Sequence, residues 1–328
     1  MTFGTGTVHG IHWRVTAGPA RRNERLTCPV VREPPDFAHD LAPASMTTSK
    51  LAQRLSAVPS TLRIPLAARA SGDAIFPQVA VRDAYAAAIL EKIRDDGQAL
   101  PEDRATIYGI LARTRRFRSL AQDFLKRHPG ARVVNMGCGL SHYFQWLDDD
   151  KSRMTDADLP EVLALRRELI PETHPRHDVR ELDLTAPDWW DQLGLPRKRN
   201  APPVFLFTEG VLMYLKPETV QAVLAAFGER APAGSVLAFD AMCWIATGRA
   251  RNHPSVRPTG AEFLWGLRRP ADLTEPHPRL RLDGTYRVME GLGLAYTVLG
   301  PVFRMVFGVP LYAVYSLSAV DPTDPGDT

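Results

Sequence analysis

The middle of this 328-residue chain alternates short apolar runs with longer segments of helical pattern. Connections of about ten residues or more join parallel strands, because an antiparallel pair needs only a tight turn. The alternation therefore predicts an α/β fold with a mostly parallel sheet. Its first five strands are predicted at 131–136, 152–159, 177–184, 203–210 and 235–242.

The segments on either side of these strands complete the predicted domain organisation. An all-helical cap, 46–130, precedes the core, and its helices are predicted at 81–96 and at 101–128, where Pro101, Glu102 and Asp103 form the first turn. The runs 293–300 and 311–320 predict a closing hairpin-type pair at one side of the sheet. The core is thus 131–320, with a tail at 321–328.

The first 45 residues show no apolar period and are rich in Pro, Arg and Asp. They predict a flexible leader. Met46 follows it directly, so the leader is either an ordinary tail or a stretch upstream of the natural start of translation.

Charge and cysteine usage narrow the class of protein. A net charge of +3 from 40 basic and 37 acidic residues gives no field for binding nucleic acid. The three cysteines match neither a zinc site nor a disulfide framework, which favours a reducing compartment. No apolar run reaches the length of a membrane span, and the amino terminus lacks a secretory signal. We therefore expect a cytoplasmic protein without a membrane or nucleic-acid partner.

Polar residues follow the predicted strands at the edge where a parallel sheet binds its ligands. Gly137 and Gly139 end the first strand, Asp158 the second, Asp183 the third and Glu209 the fourth. One rim of the sheet is expected to hold all five residues.

The glycine loop predicts an adenosine ligand without a pyrophosphate. A dinucleotide fingerprint needs a third glycine where this chain has His142, so the NAD pattern fails. Asp158 lies 19 residues after Gly139, and a carboxylate there can accept hydrogen bonds from both ribose hydroxyls. These features point to S-adenosylmethionine.

Five segments together resemble the leucine carboxyl methyltransferase family, in particular its bacterial polyketide O-methyltransferase branch. "STLRIPLAARA" at 60–70 is similar as well, and the resemblance covers about 55–320. It implies a Rossmann-like class I methyltransferase with a seven-stranded sheet, N-terminal helices and a helical lid. The segments are "RTR" (113–115), "VVNMGCGL" (133–140), "DLPEVLALRRELIP" (158–171), "DWWDQL" (188–193) and "TEGVLMYL" (208–215).

The resemblance also implies roles for individual residues. The two glycines let the backbone pass close to the methionine part of S-adenosylmethionine, and Glu209 lies beside that part. A guanidinium suits the cofactor's carboxylate because it offers two parallel donors. The remaining expected contacts are Asp158 with Leu159 at the ribose, Asp183 with Leu184 at the adenine, and Arg113, with Arg69 as a second partner, at the carboxylate.

The acceptor side departs from the family pattern. Where the family carries "GLDTR", this chain has "GLSHYF", so Ser141 replaces the acid and Tyr143 the arginine. His142 becomes a candidate base, with its ring expected to face the transferable methyl. Tyr214 is expected near the acceptor pocket, under an aromatic lid at 241–290. No metal ligands are predicted.

Several alternatives stay open from sequence alone. Asp158 and Asp183 could cap helices, Arg113 could lie on a solvated helix face, and His142 and Tyr214 could be structural. The acceptor is a small organic or polyketide-like molecule, methylated on a carboxylate or on a hydroxyl. A nicotinamide-dependent oxidoreductase and a non-catalytic S-adenosylmethionine-binding protein are the competing functions.

Overall fold

The computed structural model describes residues 60–93, 103–170 and 174–321. Within them, seven strands form one sheet in the order β3-β2-β1-β4-β5-β7-β6. The pairs among β1 to β5 are parallel, whereas β7 runs antiparallel to both β5 and β6. The strands are β1 Arg132–Met136, β2 Arg153–Asp158, β3 His177–Glu181, β4 Val204–Thr208, β5 Val236–Met242, β6 Leu280–Arg287 and β7 Tyr312–Ala319.

Helices cover both faces of this sheet. The central strand β4 is buried throughout because its side chains alternate between two apolar layers. Phe205 and Phe207 pack in the layer formed with α3, and Leu206 packs on the opposite face with α7. The α-helices of the described part are α1 Arg63–Ile75, α2 Ala86–Lys92, α3 Arg104–Arg127, α4 Phe144–Leu147, α5 Pro160–Leu169, α6 Trp189–Gln192, α7 Pro217–Arg230 and α8 Leu294–Phe307.

The predicted α/β class and the five parallel strands are confirmed, but the prediction at 293–300 is wrong. That run begins helix α8, and the partner of β7 is Leu280–Arg287 instead. The run is short and mostly apolar, so it carried no period that separates a strand from a helix. Side chains of α8 such as Met305 remain exposed.

The N-terminal helices also differ from the prediction in their bounds. Helix α2 begins at Ala86 rather than 81, after Arg82 with a φ of 54°. Asp103 precedes α3 as its N-cap, and its carboxylate accepts hydrogen bonds from the backbone N–H groups of Ala105 and Thr106. The predicted leader, Pro101, Glu102 and nearly all of the tail lie outside the described residues. No helix in the described ranges is long and apolar enough to cross a bilayer.

The lid is shorter than the predicted 241–290 because its last part is strand β6. We define the lid as residues 243–267, which form 3-10 turns rather than α-helices. Both ends meet at the tip of β5. The N–H of Leu267 donates to the Met242 carbonyl at 2.8 Å, and the N–H of Trp244 donates to the Leu267 carbonyl at 2.9 Å.

Candidate active site

A cavity of about 1010 Å³ lies at the carboxyl ends of β1 to β5. The glycine loop after β1 and the tips of β2, β3 and β4 form one part of its wall. Helices α1 and α3 and the lid form the other part. Ten of the eleven predicted site residues line it: Arg69, Arg113, Gly137, Gly139, Asp158, Leu159, Asp183, Leu184, Glu209 and Tyr214.

The glycine loop needs residues without side chains. Gly137 and Gly139 have φ values of +72° and +51°, a region that other residues rarely adopt. A Cβ at Gly137 would lie 2.5 Å from Val211, and one at Gly139 would lie 2.9 Å from Leu62. The loop therefore brings bare backbone to the cavity wall, as a closely bound ligand requires.

Asp158 lies at the tip of β2 and binds this loop. Its carboxylate accepts hydrogen bonds from the N–H of Gly139 at 2.7 Å and from the N–H of Leu159 at 2.8 Å. Burial raises the pKa of Asp158, and these two bonds oppose the rise. Helix α5 has no side-chain cap, so the capping alternative does not hold. Each carboxylate oxygen keeps a lone pair for a ligand hydroxyl.

Asp183 forms a turn after β3. Its Oδ1 accepts hydrogen bonds from the N–H of Thr185 at 2.8 Å and from its hydroxyl at 2.7 Å. Helix α6 begins six residues later at Trp189 without a side-chain cap, so Asp183 does not cap it. Asp183 and Leu184 form the part of the wall next to Asp158 and Leu159, which is where an adenine is expected.

Arg113 is buried between two carboxylates, not on a solvated helix face. Its Nε donates to Glu209 at 2.9 Å, and its Nη1 donates to Asp240 at 3.1 Å and to the Tyr312 hydroxyl at 2.7 Å. Burial opposes the charge, but Tyr312, Asp240 and Glu209 raise the pKa of Arg113 well above its ordinary value. No described residue accepts a hydrogen bond from Nη2, which leaves that nitrogen for a ligand carboxylate.

Tyr143 joins the same cluster from the altered glycine-loop motif. Its hydroxyl donates to Glu209 Oε2 at 2.6 Å. Burial and the adjacent Glu209 raise the pKa of Tyr143 well above its ordinary value, so the hydroxyl remains a donor. Tyr143, at the position of the family's arginine, thus contacts Glu209 without adding a positive charge. The cluster thus contains one cation, Arg113, and two carboxylates, Glu209 and Asp240. Its net charge is minus one.

Arg69 is the second expected partner of the cofactor's carboxylate. It lines the cavity, but its Nε donates to Asp83 at 2.8 Å and its Nη2 to the Leu140 carbonyl at 3.3 Å. Burial raises the pKa of Asp83, but the Arg69 charge and hydrogen bonds to the carboxylate outweigh this effect and lower it. Arg69 therefore anchors α1 beside the glycine loop.

His142 does not line the cavity, so the expectation that its ring faces the transferable methyl is wrong. The ring is buried edge-on against Tyr85, with centroids 4.4 Å apart, and lies 5.3 Å from His177. His177 contacts Asp156 at 2.8 Å. Burial raises the pKa of Asp156, but Arg166 and His177 outweigh this effect and lower it to about 2.

Replacing His142 with Gln should leave the methyl-transfer rate within about tenfold of wild type, because the ring lies outside the cavity. Loss of ring packing should lower the free energy of unfolding by about 1 kcal/mol. Turnover and denaturant unfolding measured on the same sample check both statements. A thousandfold loss of rate at unchanged stability would show that His142 takes part in the reaction.

The end of the cavity where the acceptor is expected lies under the lid. Tyr214 lines it, with its ring 5.7 Å from that of Phe263, and burial raises the pKa of Tyr214. Its hydroxyl therefore remains protonated at neutral pH. Apolar side chains such as Met213 and Val256 form much of the remaining wall.

Asp240 and Tyr312 are site residues that sequence reasoning missed. Asp240 lies near the carboxyl end of β5, where the same rule that identified Asp158 and Glu209 applies. Tyr312 opens an antiparallel strand, and its contact with Arg113 spans 199 positions of the chain, so no local signal indicated it.

Fold and site together define a class I S-adenosylmethionine-dependent methyltransferase. The sequence profile of leucine carboxyl methyltransferase matches residues 40–228. The chain belongs to the leucine carboxyl methyltransferase family, as the resemblance of its motifs indicated. Family membership excludes the nicotinamide-dependent alternative.

Individual relatives agree with this assignment. The tetracenomycin polyketide synthesis O-methyltransferase TcmP of Streptomyces glaucescens is 31% identical over 74% of this chain and 87% of its own. The S-adenosyl-L-methionine-dependent methyltransferase dpfgK of Gibberella zeae is 30% identical over 69% of this chain and 81% of its own. A crystal structure of a methyltransferase from Thermobifida fusca YX shares the fold, with a TM-score of 0.50 at 16% identity, over 83% of this chain and 98% of its own.

Proposed function

We propose that the protein methylates a carboxylate oxygen of an apolar, mid-sized organic acceptor. The observation that carries this proposal is the continuous cavity, which extends from the glycine loop and Asp158 to the lid, where Val256 and Phe263 are among the lining residues. Such a cavity has room for both S-adenosylmethionine and an acceptor. The relation to TcmP, whose name describes a polyketide O-methyltransferase, supports oxygen as the acceptor atom.

The residues present fit the cofactor. Asp158 would hold the ribose, the turn at Asp183 and Leu184 would bound the adenine, and Arg113 Nη2 would meet the carboxylate. The negative cluster of Glu209 and Asp240 would favour the ammonium and sulfonium charges. When bound, S-adenosylmethionine supplies an electrophilic methyl group.

The protein's own task is then chiefly to align the acceptor and to exclude water. Fixing both reactants in one closed site contributes roughly 7 to 11 kcal/mol in good cases. The lid covers the cavity from one side, and the protonated Tyr214 hydroxyl is a donor that can orient an acceptor oxygen.

A carboxylate suits this cavity better than a hydroxyl. A carboxylic acid, with an ordinary pKa near 4, is already ionised at neutral pH, whereas a phenol near 10 needs a base. His142 is outside the cavity, and the protonated Tyr214 is no base. The hydroxyl alternative rests on His253, the one imidazole that lines the cavity within the described residues.

A labelled-methyl assay separates the two acceptor classes. The protein is incubated with methyl-labelled S-adenosylmethionine and matched pairs of aromatic acids and phenols. We expect label in the acids, in a form that mild alkali releases as methanol, because methyl esters hydrolyse and methyl ethers do not. Alkali-stable product from the phenols would favour the hydroxyl alternative. Cofactor binding without any methylation would favour a non-catalytic protein.

The cytoplasmic location and the lack of a nucleic-acid partner remain predictions from the sequence. They agree with a small-molecule acceptor.

A further inference from the structure

The arginines along the cavity differ in what neutralises them. Arg69 pairs with Asp83, and Arg113 pairs with Glu209 and Asp240. Arg249 also lines the cavity, and it has no ion pair with any described residue. Its side chain is exposed, and Glu262, which also lines the cavity and accepts a hydrogen bond from the N–H of Ala250 at 3.1 Å, forms no ion pair with it. Arg249 is therefore the cavity arginine that no described carboxylate pairs with.

Arg249 begins a basic turn of the lid, residues 249–257, which contains no acidic residue. Arg251 and Arg257 follow in the same turn, and neither forms an ion pair within the described residues. A second cavity of about 430 Å³ is lined by residues of this turn alone: Arg251, Asn252, His253, Pro254 and Arg257. Asn252, His253 and Pro254 line the main cavity as well, so the turn borders both spaces.

His253 adds a second sign that a polar group is bound here. Its Nδ1 is buried, and no described residue forms a hydrogen bond with it. A buried polar atom of this kind usually has a partner, because leaving it without one costs free energy. Its ring lies edge-on to Phe263, with centroids 6.1 Å apart, which fixes the ring at the cavity wall.

We propose that the basic turn is the anion subsite of the acceptor pocket, with Arg249 as the main contact and His253 as a neighbouring donor. The acceptor is accordingly an organic acid, and the turn binds its carboxylate. The inference rests on the proposed function, since it assigns the substrate class of the same cavity. A guanidinium meets a carboxylate with two parallel hydrogen bonds, which a neutral amide cannot match.

Two isosteric probes test the subsite without knowledge of the natural acceptor. Binding of 2-naphthoate and of its neutral analogue 2-naphthamide is measured by calorimetry on protein saturated with S-adenosylhomocysteine. We expect the acid to bind at least about tenfold more tightly than the amide. The variant Arg249→Gln should lose that preference while its affinity for the amide stays unchanged. Arg249→Lys should keep part of it.

Arg153→Gln is the matched control. Arg153 is an exposed arginine at the start of β2, at the opposite edge of the sheet, so its removal changes the net charge equally without changing the cavity. Equal binding of both probes to wild type would overturn the proposal, and so would a preference that survives in Arg249→Gln or disappears in Arg153→Gln. The titration with S-adenosylhomocysteine distinguishes a failure of the proposed function from a failure of the anion subsite. Its failure would contradict the proposed function, whereas intact cofactor binding without an acid preference contradicts the subsite alone.

Discussion

Arg113→Met should destabilise the protein by about 3 to 5 kcal/mol, because Glu209 and Asp240 would be buried together without their shared cation. Affinity for S-adenosylhomocysteine should fall as well, since the Nη2 donor is lost. Denaturant unfolding and calorimetry measure the two effects. Arg115→Met, two residues along on the exposed side of α3, is the control and should cost well under 1 kcal/mol.

The pH dependence of the variant identifies the cause of this loss. Two like charges without a cation raise each other's pKa in the folded state, so the folded variant binds protons more readily than the unfolded chain. Its stability should therefore recover as the pH falls from 8 towards 5. Adding Glu209→Gln, which removes one of the two charges, should restore part of the stability at pH 8. A deficit that neither pH nor this second substitution changes would mean that Arg113 acts by packing alone.

Asp158→Ala should weaken S-adenosylhomocysteine binding by about a hundredfold or more, because hydrogen bonds to a charged group contribute roughly 1.5 to 3 kcal/mol each. The same substitution removes the acceptor for the Gly139 N–H, so a loosened loop would also reduce affinity. Comparing adenosine with 2′,3′-dideoxyadenosine separates these causes.

Wild type should prefer adenosine, and Asp158→Ala should bind both nucleosides equally weakly if the carboxylate holds the ribose. A preference for adenosine that persists in the variant would mean that Asp158 binds the glycine loop and not the ribose. Asp178→Ala on β3, where Asp178 pairs with Arg180 outside the cavity, should change neither affinity.

The sequence predicted what short-range pattern controls. The strands β1 to β5 lie within a few residues of their predicted bounds. The strands β1, β4 and β5 are mainly apolar and buried, whereas β2 and β3 contain polar residues and were found by their place between the helical segments. Asp158, Asp183 and Glu209 followed from the position of each strand end. Edge strand β6 was not predicted: Leu280 is its one buried residue, Gly284 lies in its middle, and a register shift between Leu282 and Gly284 interrupts it.

Contacts between distant segments could not be predicted in this way. The bond from Arg113 to Asp240 spans 127 positions, and motif matching gave Arg113 a ligand as its partner rather than two carboxylates. His142 is close in sequence to the glycine loop, yet its position could not be predicted either. The sequence does not determine on which side of the loop the His142 ring lies. Packing against Tyr85 and His177 decides that, and neither residue belongs to a motif.

The meeting of the lid's two ends at Met242 and Leu267 bears on how such an enzyme changes its substrate. Hydrogen bonds at these two residues hold the ends of the lid together. The entropic cost of joining the two ends rises only slowly with the number of residues between them. Insertions and replacements inside the lid therefore leave the register of β5 and β7 untouched. New acceptor preferences can arise there, residue by residue, while the cofactor half of the molecule stays the same.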